Sequence, residues 1–280
     1  MVSAREITGQ RGGGELRRRV MTINGLRIVP SGNGSTMSAG VSMRAPYGLA
    51  IIDNCVTCPH REDRLFCHLS PPAVQRLAAI TSASSYPKGA TLFVEEQVAR
   101  GVFILCNGRV KLSTSSADGR TLIVRIAEPG EVLGLPATVT GKPYELTAEV
   151  IEPTQANFIP RTAFLSFLRE HGEVALRVAQ QLGETYHAAV AEMRSISLSH
   201  SAAEKLARFL LDWCASHGSE TPEIRATLPL THEEIGQMIG ASRETVTRLF
   251  ADFKKKQLLR IKGSTLIVCD KARLEILAGA

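Results

Sequence analysis

From Leu230 to Phe253 apolar and polar positions recur with the period of an α-helix, interrupted once. At about 100° per residue, Val246, Leu249, Phe250 and Phe253 fall in one arc, and Arg243, Glu244, Thr247 and Arg248 fall roughly opposite. A helix is predicted with one face to bury and a charged face left over. A shorter helix precedes it: Thr231 and Glu234 make a capping box, Gly240 permits a tight turn, and Ser242 caps the second helix. Two short β-prone runs follow within Leu259 to Val268, about a turn at Lys262-Gly263-Ser264. The order is helix, turn, helix, wing.

The pattern differs upstream. From about Tyr86 to Pro160 short β-prone runs (Val102 to Leu105, Val110 to Thr114, Thr121 to Ile126) alternate with turn signals at Pro87-Lys-Gly89, Asn107-Gly108, Asp118-Gly119, Pro129-Gly130 and Gly141. Spacing near ten residues predicts an all-β sandwich or barrel. A helical stretch is expected from about Arg161 to His200. In it Ala175, Ala179, Leu182, Tyr186, Ala189, Met193 and Ile196 follow steps of three and four, the seam of a dimerisation helix. The competing reading packs that stripe on the chain's own β domain.

Composition changes this picture little. The 280 residues leave room for two domains, and 44% are hydrophobic. No run approaches the roughly 18 apolar residues of a membrane span, and the Arg-rich start lacks the apolar segment of a secretory signal, so the cytoplasm is the expected compartment and a membrane is not an expected partner. The net charge of +6 sits mostly in residues 1 to 50, where seven Arg against two Glu contribute +5, so overall basicity says little about DNA. That segment, with Gly12-Gly-Gly14, Arg17-Arg-Arg19 and Ser31-Gly-Asn-Gly-Ser35, has loop composition and is expected to be a disordered basic tail; Met37 and Met43 are alternative starts. The local balance is more informative: Ser242 to Lys262 holds seven basic and two acidic residues, an excess of five. Arg243 can give two donors to a guanine, Glu244 can accept from a cytosine amino group, and the Thr247 methyl can touch a thymine. Ser242, Arg248, Lys254, Lys255 and Lys262 complete the expected face on double-stranded DNA, the lysines on phosphates.

Taken in combination, Gly108-Arg-Val-Lys111, Asp118-Gly-Arg120, Pro129-Gly130-Glu131-Val-Leu-Gly134, the long helix and Arg243-Glu-Thr-Val-Thr-Arg248 resemble the CRP/FNR family of bacterial transcription regulators over roughly residues 55 to 275. The resemblance implies an α+β fold: a cyclic-nucleotide-binding-like β-roll (a double-stranded β-helix), a long dimerisation helix and a C-terminal winged helix-turn-helix. The expected divisions are 1–50 for the tail, 51–170 for a Cys-containing segment and the β-roll, 171–200 for the dimerisation helix and 201–280 for the DNA-binding domain. It further implies a homodimer on a palindromic site, control by an effector at the N-terminal domain, and contact with RNA polymerase. Arg243, Glu244 and Arg248 match the trio that cyclic-AMP receptors use on a TGTGA-type half-site, while Thr247 departs from the Gly or Ser common there.

The branch within the family turns on the effector. Where cyclic-AMP-binding members place a Glu and an Arg-Ser pair, this chain has Leu135 and Leu146-Thr147, so cyclic AMP is disfavoured. Oxygen-sensing members hold an iron–sulfur cluster with N-terminal cysteines plus one in the roll. Here Cys55-Val-Thr-Cys58 and Cys67 form a C-x2-C-x8-C set, which suits a metal better than disulfides in a cytosolic protein. The roll segment expected to carry the last Cys, Glu152 to Pro160, has none. Cys106, His60 and His68 are the candidate fourth ligands, and a Cys3His set suits zinc as well as iron–sulfur. A thiol redox switch, or no ligand, is the remaining alternative. Cys214 and Cys269 are expected in the core. A cupin-like enzyme shares the β-roll architecture, but the roll has no His-x-His constellation and no nucleophile with a placed base, so no enzyme is expected.

Overall fold

The computed structural model describes residues 21–23, 26–28, 46–49, 51–52, 54–64, 66–197, 201–217 and 224–279. Contacts divide the chain into Met1–Met43 and Arg44–Ala280. In the first unit β1 (Met21–Ile23) pairs antiparallel with β2 (Leu26–Ile28), a hairpin not foreseen in the expected tail; the rest of that unit lies outside the described residues.

The second unit begins with a 3-10 turn at Pro46–Gly48 and the cysteine segment, residues 54–64 and 66–68, in which turns recur. Helix α1 (Pro71–Ile80) follows, started by prolines whose missing N–H groups cost nothing in a first turn. The roll comprises β3 (Ser82–Tyr86), β4 (Thr91–Phe93), β5 (Gly101–Asn107), β6 (Val110–Ser115), β7 (Thr121–Ala127), β8 (Val132–Leu133), the short helix α2 (Leu135–Thr140), β9 (Thr147–Val150) and β10 (Thr154–Pro160). Two four-stranded sheets result, in the orders β3-β10-β5-β8 and β4-β9-β6-β7, with antiparallel pairing throughout. The glycines at the predicted turns supply positive φ, among them Gly108 (80°) and Gly119 (81°).

Strand β5 is buried on both faces, which is why it reads as a continuous apolar run. Phe103 and Leu105 point into the roll, where Phe93 stacks on Tyr144 with ring centroids 4.1 Å apart. Val102, Ile104 and Cys106 point the other way, into a second core with Phe66, Val74, Leu77, Phe164 and Phe167. That second core attaches the helices and the cysteine segment to the roll.

The helical stretch expected from Arg161 to His200 is two helices. α3 (Arg161–Glu170) ends at His171, whose backbone is extended (φ −128°, ψ 92°), and α4 (Gly172–Ser197) restarts immediately. The break lets Phe164 and Phe167 on α3 and Val174 and Val178 on α4 enter the same core. Over 26 residues α4 is about 39 Å long.

The C-terminal domain contains α5 (Ala202–His217), β11 (Ile224–Thr227), α6 (His232–Ile239), α7 (Arg243–Lys255), β12 (Leu259–Lys262), β13 (Thr265–Val268) and α8 (Lys271–Leu277). Its sheet has the order β11-β13-β12, so the wing carries a third strand that periodicity did not reveal. The predicted arc of α7 is indeed the buried one: Val246, Phe250 and Phe253 are at most 1% exposed. Burying each aromatic side chain contributes on the order of 1.5–3 kcal/mol.

Candidate DNA-binding face and cysteine segment

Every local device foreseen between α6 and α7 is present. The Thr231 hydroxyl accepts from Glu234 N at 3.2 Å, and the Glu234 carboxylate accepts from Thr231 N at 2.9 Å. Gly240 takes φ 67° at the turn, and the Ser242 hydroxyl accepts from Thr245 N at 3.2 Å. Gly236 has a separate reason: a Cβ there would stand 2.5 Å from the Ala241 carbonyl oxygen, so only glycine lets the turn fold back onto α6.

Arg243, Glu244, Thr247 and Arg248 are exposed along α7, and Lys254, Lys255 and Lys262 are exposed at its end and on the wing. Glu244 is held below the ordinary carboxylate range by a main-chain hydrogen bond at its own position and by the Ser242 hydroxyl, so it is an acceptor at neutral pH. Lys256, outside the expected set, is paired with Asp252 at 2.8 Å.

His232 was missed in the sequence. Its ring stacks on Phe250 with centroids 4.9 Å apart, and its Nδ1 lies 2.9 Å from the Thr247 hydroxyl. That hydroxyl donates its one proton to the Arg243 carbonyl at 2.9 Å, so Nδ1 carries the hydrogen and Thr247 accepts it. Burial, then the charges of Lys254 and Arg243, push the imidazole below its ordinary value and favour the neutral ring. Thr247 is thus exposed with its oxygen occupied on both sides. A pairing signal was present, because a His one residue after the cap lies one helix away from Phe250, but nothing in the spacing specifies it.

The roll meets this domain through Ile151 and Ile126, which pack into its core, and through charge. Lys111 on β6 stands 3.1 Å from Glu149 on β9 and 3.3 Å from Glu234 on α6. The Arg109 guanidinium lies over the Trp213 ring, 5.6 Å from its centroid, and pairs with Glu152 at 3.3 Å.

On α4, Ala175, Ala179, Tyr186, Ala189 and Met193 are exposed, Tyr186 and Met193 at 67%, while Leu182 is half-buried against the second core. The Ile196 side chain lies outside the described residues. The competing reading holds at Leu182, which with Val174 and Val178 packs on the chain itself.

The cysteine segment is tied to the strand that was expected to carry a cysteine and does not. Gln155, on β10 and buried, receives the Ile52 N–H at 2.7 Å and donates to the Ile52 carbonyl at 2.8 Å. Asn157, two residues on, directs its amide at the Cys55 sulfur, 3.9 Å away. Cys106 lies on the neighbouring strand, opposite the bulge between Gln155 and Ala156. Cys55 and Cys67 pack against the core that buries Cys106. Burial, reinforced by the other cysteines, pushes the thiols of Cys67 and Cys106 up to about 12. His60 and His68 are exposed. Among the described residues no three His, Cys, Asp or Glu side chains converge closely enough to hold a metal ion, so the thiols are gathered without being clasped. Cys214 is buried as expected. Cys269 is not: it sits just past the end of β13, exposed, its sulfur 3.3 Å from Arg260 Nε, because the strand stops one residue short of it.

At the positions relevant to a cyclic nucleotide, Leu135 is buried in the second core and the Thr147 hydroxyl accepts from Glu95 N at 3.0 Å. Neither supplies a charged partner for a phosphate or a ribose. Among the described residues no helix is long and apolar enough to cross a membrane.

A β-roll joined to a winged helix-turn-helix with a solvent-facing reading helix defines a DNA-binding transcription regulator, and comparison with known proteins agrees. Residues 83–171 match the cyclic nucleotide-binding domain, and residues 204–277 match the Crp-like helix-turn-helix domain. The chain belongs to the CRP/FNR family of transcription regulators, which are DNA-binding proteins and not enzymes. It is 26% identical over 211 residues to the CRP-like cAMP-activated global transcriptional regulator of Mycobacterium tuberculosis, covering 75% of this chain and 94% of that protein. It is 28% identical to the transcriptional activatory protein AadR of Rhodopseudomonas palustris, over 76% of this chain and 87% of that one. The structure of FixK2 from Bradyrhizobium japonicum superposes with a TM-score of 0.63 at 25% identity, over 72% of this chain and 98% of FixK2.

Proposed function

We propose that this regulator binds as a homodimer to a palindrome of TGTGA-like half-sites and that the cysteine segment, rather than a cyclic nucleotide, carries its signal. The face of α7 supports the first part: Arg243, Glu244 and Arg248 stand free of the core, with Thr247 oriented by His232, so direct readout of G-containing half-sites has its donors and acceptors in place. The exposed Ala175, Ala179, Tyr186, Ala189 and Met193 supply a seam for a second copy, which sets two reading helices about one DNA turn apart. RNA polymerase is the expected partner at the promoter, on the family's pattern.

For the signal, Cys55, Cys67 and Cys106 share one apolar core and Cys58 follows Cys55 by three residues, a thiol set whose chemistry would suit a thiophilic metal, an iron–sulfur cluster or zinc. Bound, the group would be held by Cys55, Cys58 and Cys67 and would supply either redox sensitivity or a structural clasp. The chain's own contribution is anchoring: Gln155 and Asn157 fix the segment on β10, and Ser70, at its end, binds Glu173 of α4, N to Oε2 at 3.1 Å. A change in the segment therefore reaches the long helix directly.

The deciding experiment is fluorescence anisotropy with duplexes carrying the palindrome, one half-site, or changed guanines, on protein purified without oxygen and then exposed to air. Tight binding to the palindrome that falls when the guanines change supports the DNA reading, and binding indifferent to those changes refutes it. Affinity that responds to air, but not to cyclic AMP, supports the cysteine segment as sensor; the reverse response refutes it.

A further inference from the structure

A groove runs between the roll and the DNA-binding domain. β7 is the outermost strand of its sheet, paired with β6 on one side and, among the described residues, with no strand on the other. On it Leu122 and Val124 stand 44% and 45% exposed. Opposite them α5 turns Lys205, Arg208, Phe209, Asp212 and Trp213 into the groove, and α6 closes one end with Met238 and Gly240. The space enclosed is about 530 Å³, within the range of sites that hold a small organic molecule. Ile126, Phe209 and Met238 are partly buried in its walls, and Phe209 tilts on Trp213 with centroids 5.9 Å apart, so the interior is apolar. The charges at its rim are not equivalent. Arg208 donates to the Ala278 carbonyl at 3.0 Å and attracts the Asp212 carboxyl, while Arg125 is committed to Glu131. Lys205, one turn from Arg208 on the same helix face, is the cation these contacts leave over: among the described residues no ion pair includes it.

We propose that this groove binds a small amphipathic acid, its apolar body between β7 and Phe209 and its carboxylate on Lys205, as an input to DNA binding separate from the cysteine segment. The Lys205 ammonium at the mouth of an apolar slot offers a carboxylate a charge-assisted hydrogen bond that an uncharged molecule of the same shape does not receive. The site lies outside the roll, apart from the core that holds Phe103, Leu105 and Tyr144. A molecule seated there touches the edge strand of the roll, the face of α5 and the Gly240 turn that leads into α7. Trp213 also lies under the Arg109 guanidinium, 5.6 Å from the ring centroid, so the groove shares a wall with a contact that joins the two domains. Occupancy therefore favours the arrangement in which β7 faces α5, and by linkage it alters the affinity of the reading unit for DNA.

Trp213 is the only tryptophan of the chain, so its emission reports on the groove directly. Full-length protein without DNA is titrated with decanoate and, in parallel, with decan-1-ol, as wild type, Lys205→Met and Val124→Asp. The wild type should show a saturable change in Trp213 emission at one decanoate per protomer. Lys205→Met, which keeps the stem and removes the charge, should bind decanoate about tenfold more weakly and decan-1-ol as the wild type does. Val124→Asp, at an exposed position, should weaken both while keeping the wild-type circular dichroism. In anisotropy with a labelled duplex, decanoate should shift the DNA affinity of the wild type by about fivefold or more and leave Lys205→Met unmoved at the same concentration. The proposal is overturned by the absence of a saturable change, by decan-1-ol binding the wild type as tightly as decanoate, by an unaltered decanoate affinity in Lys205→Met, or by binding that leaves DNA affinity unmoved. Emission that follows protein concentration instead of decanoate assigns the groove to a second copy of the chain and equally overturns it. The emission titration needs neither a metal nor a particular DNA sequence, so its failure is distinct from failure of the cysteine or half-site readings.

Discussion

Lys111 lies 3.3 Å from Glu234, the same carboxylate that closes the capping box of α6, so a side chain of the roll holds the first residues of the reading unit. Both side chains are more than four-fifths buried, and Lys111 also meets Glu149 at 3.1 Å. One ammonium thus neutralises two carboxylates from different domains.

Replacing Lys111 by Met should therefore destabilise the protein by about 1–2 kcal/mol, because it leaves Glu149 and Glu234 facing each other without their cation. Burial alone would raise the Glu234 carboxyl, but hydrogen bonds from Thr231 and the Lys111 charge outweigh it and hold it below the ordinary range. Its contribution is complete above its unfolded pKa and is lost as pH falls from about 4.3 through the lower folded value. Urea denaturation between pH 3 and 7 checks this: the acid-side loss should be shallower in the variant, and an unchanged slope would contradict the linkage.

Gly236→Ala should disable DNA binding without disturbing the roll. The added methyl meets the Ala241 carbonyl at 2.5 Å, so the turn must open and α7 must tilt. Amide-exchange mass spectrometry should show protection lost over α6 and α7 alone, with the strands of the roll unchanged.

Arg243→Ala should cost about 1–3 kcal/mol of binding and relax preference at one base position, while Lys255→Ala should weaken all sequences alike and reduce the salt slope by about one. Anisotropy against a panel of single-base variants at several salt concentrations separates the two signatures.

Tyr186→Arg should convert dimer to monomer, since Tyr186 stands 67% exposed on the seam and a guanidinium there would face its own copy. Sedimentation equilibrium reads the mass directly, and a variant that stays dimeric would place the interface elsewhere.

His232→Phe should keep the stack on Phe250 but strip Thr247 of its donor. Specificity at the base nearest Thr247 should broaden, read by the same duplex panel, with thermal stability changed little.

Periodicity and turn chemistry carried most of the architecture into view. The caps at Thr231 and Ser242, the buried arc of α7 and the turns at Gly108 and Gly119 are local rules, so the residues themselves state them. What escaped is set by distant partners. β11 alternates, with Ile224 and Ala226 inward, but over only four residues, too few to announce a strand without the edge that β13 offers. The helix break at His171 follows from the need of α3 and α4 to enter one core from different angles. The hairpin at Met21–Ile28 was passed over although Asn24-Gly25 is a strong turn signal, because the surrounding composition suggested a tail. Cys269 was assigned to the core from its apolar neighbours, and one residue of strand length decided otherwise. At the cysteine segment, spacing grouped Cys55, Cys58 and Cys67 and left Cys106 as one candidate beside two histidines; that Cys106 shares a core with Cys55 and Cys67 is a tertiary fact that spacing does not state.

Gln181 on α4, buried at 8% exposure, receives the Val132 N–H at 3.1 Å and donates to the Val132 carbonyl at 2.8 Å. A single amide thereby imitates a neighbouring strand, and β8 treats the long helix as part of its own ladder. Such a two-point grip tolerates rotation about its axis but not withdrawal from the strand, because backing away by about 1 Å lengthens both bonds beyond useful distance. The helix is pinned to the roll as a lever is pinned at its fulcrum: motion at the cysteine end must emerge at the far end as swing.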